Sequence, residues 1–213
     1  MGRTLGVDAI AAVCTTIPVF MIAVGATIGL TSGMSVIVGQ NFGAKNMEGV
    51  KTSAATCLVI SVIYMILAII VTHIFLTPLL KLIDVPERIF ADAYSYIGIL
   101  LYGIGTTALY NLASALMRAL GDSKTPLYFL ILSSLLNIVL ALAFIIYLGW
   151  GVAGSAIALV IAQGISGALC LWYIYTRVPA LHLQKKHFRL TRAGIWFHLK
   201  MGCPMSFQFG ILG

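Results

Sequence analysis

The chain has 213 residues, of which 61% are hydrophobic and only 9% charged. A typical soluble domain is about 25% charged, and six acidic residues cannot cover a soluble fold of this size. The composition therefore excludes an ordinary soluble domain and predicts an all-α polytopic membrane protein, a helical bundle, because unpaired backbone groups are too costly in hydrocarbon.

Five segments reach the roughly 20 apolar residues that a span needs. They lie near 10–38, 53–77, 93–117, 126–148 and 152–175, and none contains Lys or Arg. The first ends in MSVIVGQNFGAKN, where an apolar run stops at Gln40-Asn41. Gln40 and Asn41 are expected to cap the inner end of that span, whose last carbonyls need partners. Gly43 is expected to take a turn geometry closed to other residues, and Asn46 completes the elbow. Segment 78–92 reads as a long charged link, with Leu79, Leu80, Leu82 and Ile83 at helical spacing for an interfacial helix. RALGDSKTP, 118–126, is a tight link with a glycine and a helix-opening proline. Arg118 and Asp122 are expected to fasten it. Trp150, in the short link 148–152, suits the headgroup level. Residues 176–200 form a basic linker, and 201–213 reads as the start of another span that stops in mid-pattern.

Ten Lys and Arg fall in 41–52, 118–126 and 176–200, against three on the other side. This asymmetry predicts that those three segments are cytoplasmic and residues 1–8 are outside. An outside start and the interrupted pattern at the other end predict that the chain is an interior piece of a larger protein, with a first helix missing ahead of it.

The basic residues gather at one membrane face, where anionic lipid attracts them, so the charge of +7 implies no nucleic-acid partner. Cys14, Cys57, Cys170 and Cys203 are isolated, and His73, His182, His187 and His198 have no ligand-like spacing to them, so no metal site or cofactor is expected. No nucleophile and base are paired, and no enzyme is expected.

The polar residues inside the spans carry the functional reading. Gly25, Gly29 and Gly33 recur every four positions, a face for close helix contact or for sliding. Pro18 can kink the same span. Thr107, Asn111 and Ser114 share one face of the third span. Asn137 and Gln163 are the two deepest large polar groups, in the fourth and fifth. Such residues turn away from lipid, either to bond neighbouring helices or to line a wet cavity. No Asp or Glu lies securely inside a span, although a cation or proton pathway usually wants one.

Three stretches resemble the MATE family, the multidrug and toxic compound extrusion transporters. GLTSGMSVIVGQNFGAKN is similar to the family's small-residue second helix and its exit. RALGDSKTPLYFLILSSLLNIVLALAFI is similar to the entry and body of its Asn-bearing fifth helix, and GWGVAGSAIALVIAQ to the start of its sixth. KMGCPMSFQFG resembles the opening of the seventh. The resemblance implies that 1–175 holds helices two to six of the amino-terminal lobe of a two-lobe, twelve-helix protein in the plasma membrane. Residues 176–200 would then be the linker between lobes. It also implies efflux of small organic, often cationic, compounds in exchange for Na⁺ or H⁺, from a cavity closed by a first helix and a carboxy-terminal lobe absent here. Thr107, Asn111, Asn137 and Gln163 are the residues expected in the cavity or the coupling site. Asn137 matches an Asn that some members use for coupling, but four residues on, where those members have Asp, stands Ala141. Two other readings stay open: a flippase for lipid-linked precursors or polysaccharides, disfavoured because no span carries Lys or Arg to meet phosphate, and a non-transporting membrane scaffold.

Overall fold

The computed structural model describes residues 2–188 and 190–212. Seven α-helices follow in order: α1 (Gly2–Gly43), α2 (Met47–Leu82), α3 (Glu87–Tyr102), α4 (Ile104–Ala119), α5 (Lys124–Ile146), α6 (Gly151–Arg177) and α7 (Arg192–Leu212). Two 3-10 turns, Pro179–Leu181 and Lys185–Phe188, punctuate the stretch between α6 and α7. Among the described residues, five segments are long and apolar enough to cross a membrane: Asp8–Gly43, Met47–Leu82, Glu87–Ala119, Lys124–Ile146 and Gly151–Arg177. These are the five expected spans; four are extended at both ends, and the fourth is shifted two residues earlier, from 126–148 to Lys124–Ile146.

The extensions have local causes. α1 does not stop at Gln40: it runs to Gly43, and the turn follows there. The expected link 78–92 shrinks to four residues, because α2 continues through Pro78 to Leu82. Pro78 breaks one helical hydrogen bond, but Leu76 before it and Leu80 beyond it are buried in a cluster with Ile89, Ala93 and Ile97 of α3. Burying those side chains holds the turn that the proline weakens. The separate interfacial helix expected from Leu79, Leu80, Leu82 and Ile83 is thus the last turn of α2, with Leu80 inside and Leu82 outside.

The third span is interrupted at Gly103, which separates α3 from α4. A Cβ there would lie 2.2 Å from Val160 Cγ2 of α6, so only glycine lets the two helices approach this closely. In the link 118–126 only part of the expected chemistry is found: the Arg118 guanidinium, expected to fasten the link, turns back to Ser114 Oγ of α4. Gly121 is left-handed at φ +91°, and Asp122 Oδ1 accepts the Thr125 backbone N–H at 3.0 Å at the start of α5.

α1 lies at the centre, against α2, α3, α4 and α7, while α5 packs on α6. The larger core cluster joins Met34, Val38, Val50, Leu112, Met117 and Cys170. Exposed apolar side chains cover α2 and α5, such as Ile66, Ile70, Leu135 and Val139. On a chain with five spans they form the surface that lipid or another membrane helix meets.

Candidate functional site

The polar residues come to one level through two helix registers. Along α4 and α6, Gly103 meets Val160, Thr106 meets Gly164 and Tyr110 approaches Gly167, so these helices run parallel with a constant offset. Along α5 and α6, Phe144 meets Gly154 and the Phe129 ring meets the Tyr173 ring at 6.1 Å, so these run antiparallel. Both registers place Thr107, Asn137 and Gln163 at the same depth in the bundle. Asn111 sits one turn closer to the elbow.

Their hydrogen bonds differ. Asn111 donates from Nδ2 to the Thr107 carbonyl at 2.9 Å, and the Arg118 guanidinium donates to Ser114 Oγ, so the face expected on α4 is largely satisfied by its own helix. Tyr110 OH donates to the Pro126 carbonyl of α5 at 3.0 Å. Asn137 is partly exposed and has no hydrogen-bond partner among the described residues. Among the described residues Gln163 Oε1 is buried with no partner, and so is Ser166 Oγ one turn further along α6. A buried unpaired acceptor is uncommon and needs a reason, such as an unseen water or ion or a functional role. Ser166 was missed by sequence reasoning: a small hydroxyl in an Ala- and Gly-rich helix reads as packing.

Apolar grooves lie elsewhere. One of about 390 Å³ opens between α1 and α2, lined by Ile22, Leu67, Val71 and Phe75. Another, of about 380 Å³, opens between α2 and α7. Neither is lined by Thr107, Asn111, Asn137 or Gln163.

The elbow is a second site, and it corrects two expectations. Gly43 is the last residue of α1 and does not take the left-handed turn, which falls on Lys45 at φ +56°. Gln40 is exposed and uses only its carbonyl, which accepts from the Ala44 N–H at 3.0 Å. Asn41 reaches across instead: its Nδ2 donates to the Ile37 carbonyl at 2.9 Å and to Ser53 Oγ of α2 at 3.2 Å. Asn46 caps α2, its Oδ1 accepting from the Gly49 N–H at 3.0 Å. Gly49 is the glycine that the elbow requires, since a Cβ there would lie 2.3 Å from Asn41 Oδ1 and 2.6 Å from Asn46 Nδ2. Gly49→Ala is therefore expected to lower stability by about 1–2 kcal/mol, through loss of the cap, while Gly43→Ala is near neutral. Thermal unfolding of the two variants side by side checks this, and equal midpoints would refute it.

The linker after α6 is tied to the same elbow. Lys186 Nζ meets Glu48 Oε1 at 3.0 Å, and His187 Nε2 meets Glu48 Oε2 at 3.1 Å. The tautomer follows from the other nitrogen: Nδ1 accepts the Gln184 N–H at 2.9 Å, so Nε2 carries the proton and donates to Glu48. The His187 ring is buried. The hydrogen bond from Lys186, helped by that from His187, holds the Glu48 carboxyl below its ordinary value. A depressed carboxylate contributes stability above its unfolded pKa and loses it as pH falls through the folded one. A nitroxide on Gln184→Cys is expected to be immobile near neutral pH, to loosen once the pH falls below the ordinary carboxylate range, and to be loose at both in Glu48→Gln. A label insensitive to both changes would mean the tie is absent. Partners 138 and 139 positions apart leave no signal in local sequence.

A multi-pass helical membrane protein with a neutral polar level inside its bundle is the class that this geometry defines. Residues 1–143 match the MatE family model, and the chain belongs to that family. It is 34% identical to the probable multidrug resistance protein YoeA of Bacillus subtilis over 97% of this chain and 46% of that protein. It is 30% identical to YpnP of the same organism, described in the same words, over 100% of this chain and 47% of that protein. Among solved structures, an inward-facing multidrug resistance MATE transporter matches with a TM-score of 0.91 at 26% identity, over 97% of this chain and 47% of its own. An outward-facing one matches at 0.90 and 27%, over 96% and 46%. The chain spans about half the length of the relatives it matches.

Proposed function

We propose that this chain holds helices two to six of the amino-terminal lobe of a multidrug efflux antiporter, together with the linker and the start of the seventh helix. The protein would export small organic, often cationic, compounds in exchange for Na⁺ or H⁺. The observation that carries the reading is the near-equal likeness to inward-facing and outward-facing relatives, 0.91 and 0.90. A piece that fits both end states with so little change behaves as a unit that rocks against a second unit, which is how paired bundles alternate access. Thr107, Asn137 and Gln163 supply a neutral polar level for substrate or ion, with Asn111 one turn below. Ala141 is one turn beyond Asn137 and has no group to hold a cation, so the coupling carboxylate is assigned to the missing first helix or the second lobe. The ten-to-three charge asymmetry supports a plasma-membrane orientation with 41–52, 118–126 and 176–200 in the cytoplasm.

The test is efflux from vesicles holding the full reading-frame product, with a Na⁺ or H⁺ gradient imposed in turn. Dye extrusion driven by one gradient, and lost in Asn137→Ala at unchanged abundance, supports the reading. Extrusion indifferent to both gradients would remove antiport, and no extrusion at all would leave a membrane scaffold.

A further inference from the structure

From the α2–α7 groove we infer a binding site for one anionic phospholipid, its headgroup at Arg192 and an acyl chain between the helices. The groove begins at a mouth lined by Arg192 and Trp196. It continues past Ile195 and Leu199, which line both the mouth and the deeper part, and runs between Ile63 and Leu67 of α2 and the upper half of α7. Ile195 and Leu199 are common to both hollows, so the cation stands next to the apolar trough.

Depth supports the same occupant. The α1–α7 register pairs Gly33 with Met201, Gly29 with Met205 and Gly25 with Phe209. Continued toward the start of α7, it sets Arg192 level with Phe42, beside the elbow where α1 leaves the bundle. From Arg192 to the far end of the groove α7 rises about 22 Å, enough for an acyl chain to cross one leaflet's hydrocarbon of roughly 15 Å.

Charge selects the headgroup. No acidic residue follows Asp122 in the sequence. Glu48, the acid at the elbow, is already held by Lys186 and His187. Arg192 has no ion-pair partner among the described residues and lies where a phosphate would. Trp196 beside it is 70% exposed, a ring on the wall of the mouth that Arg192 lines.

Trp196 also reports on the site. With Trp150 and Trp172 changed to Phe, brominated phosphatidylglycerol should quench Trp196 about fivefold more effectively than brominated phosphatidylcholine at equal mole fraction, the gain expected of one basic side chain near an anionic headgroup. Arg192→Gln should abolish the preference, while Lys200→Gln, which removes a charge outside the groove, should retain it. Each variant is first checked for an unchanged unfolding midpoint, and Arg192→Ala serves if Arg192→Gln fails to fold. Equal quenching by the two lipids would overturn the site in favour of unspecific lipid contact. No quenching by either would overturn it in favour of a protein segment seated in the groove.

Discussion

Gly29→Leu is expected to lift α7 off α1. A Cβ on Gly29 would lie 2.3 Å from the Met205 carbonyl oxygen and 2.6 Å from Ser206 Cα. The same holds one turn away on each side, with Gly25 at 2.4 Å from the Phe209 oxygen and Gly33 at 2.6 Å from the Met201 oxygen. These neighbours are backbone atoms, so no rotamer change relieves the contact and the helix must move as a body. The move also stretches the 2.9 Å hydrogen bond from Ser206 Oγ to the Ala26 carbonyl. Overpacking of this kind costs about 1–3 kcal/mol and sometimes more, or about 3–10 °C in unfolding midpoint for a chain of this length. Gly29→Ala should show a smaller part of the same loss. Oxidative cross-linking of an Ala26→Cys/Ser206→Cys pair reads the separation directly, and should be fast in the parent and slow with Gly29→Leu. An unchanged midpoint with fast cross-linking would mean that α7 is not seated on this face.

That seam marks the limit of what the sequence could tell. The four-residue recurrence of Gly25, Gly29 and Gly33 identified a close-contact face, because small residues there have few other uses. It could not name the partner, since nothing in α1 encodes residues 180 positions later. The five spans were legible for a simpler reason: a run of apolar side chains has only one stable setting in lipid. Link chemistry was half legible. Gly121 and Asp122 acted locally, and a local rule found them. Gly43 was misassigned because a glycine after a helix suggests a left-handed turn, and here Lys45 takes that turn. Gly49, hidden inside the next helix, is needed because two asparagine side chains cross over it. The second span was ended too early, at 77: the local cost of Pro78 is real, and the burial of Leu80 outweighs it. Asn137 and Gln163 stood out in the sequence as large polar groups at mid-span, yet their common level with Thr107 needed the registers of three helices.

Gln163→Leu should separate glue from function at that level. The Oε1 atom is buried without a partner, and such an atom costs about 1–3 kcal/mol against a satisfied one. Leucine has similar bulk and no acceptor to satisfy. If Gln163 is kept for substrate or ion, its removal should raise the unfolding midpoint by several degrees and lower efflux by at least about tenfold, the trade-off expected of a functional site held at a cost in stability. If the assembled protein supplies Oε1 with a structural partner, the same change should lower the midpoint, and Gln163 is then glue. Asn137→Ala provides the second edge of a cycle. Residues that serve one bound species at one depth should couple, so the double variant should lose less efflux than the two single losses combined. Full additivity would mean that Asn137 and Gln163 act on separate events, and the shared level would lose its meaning as a site.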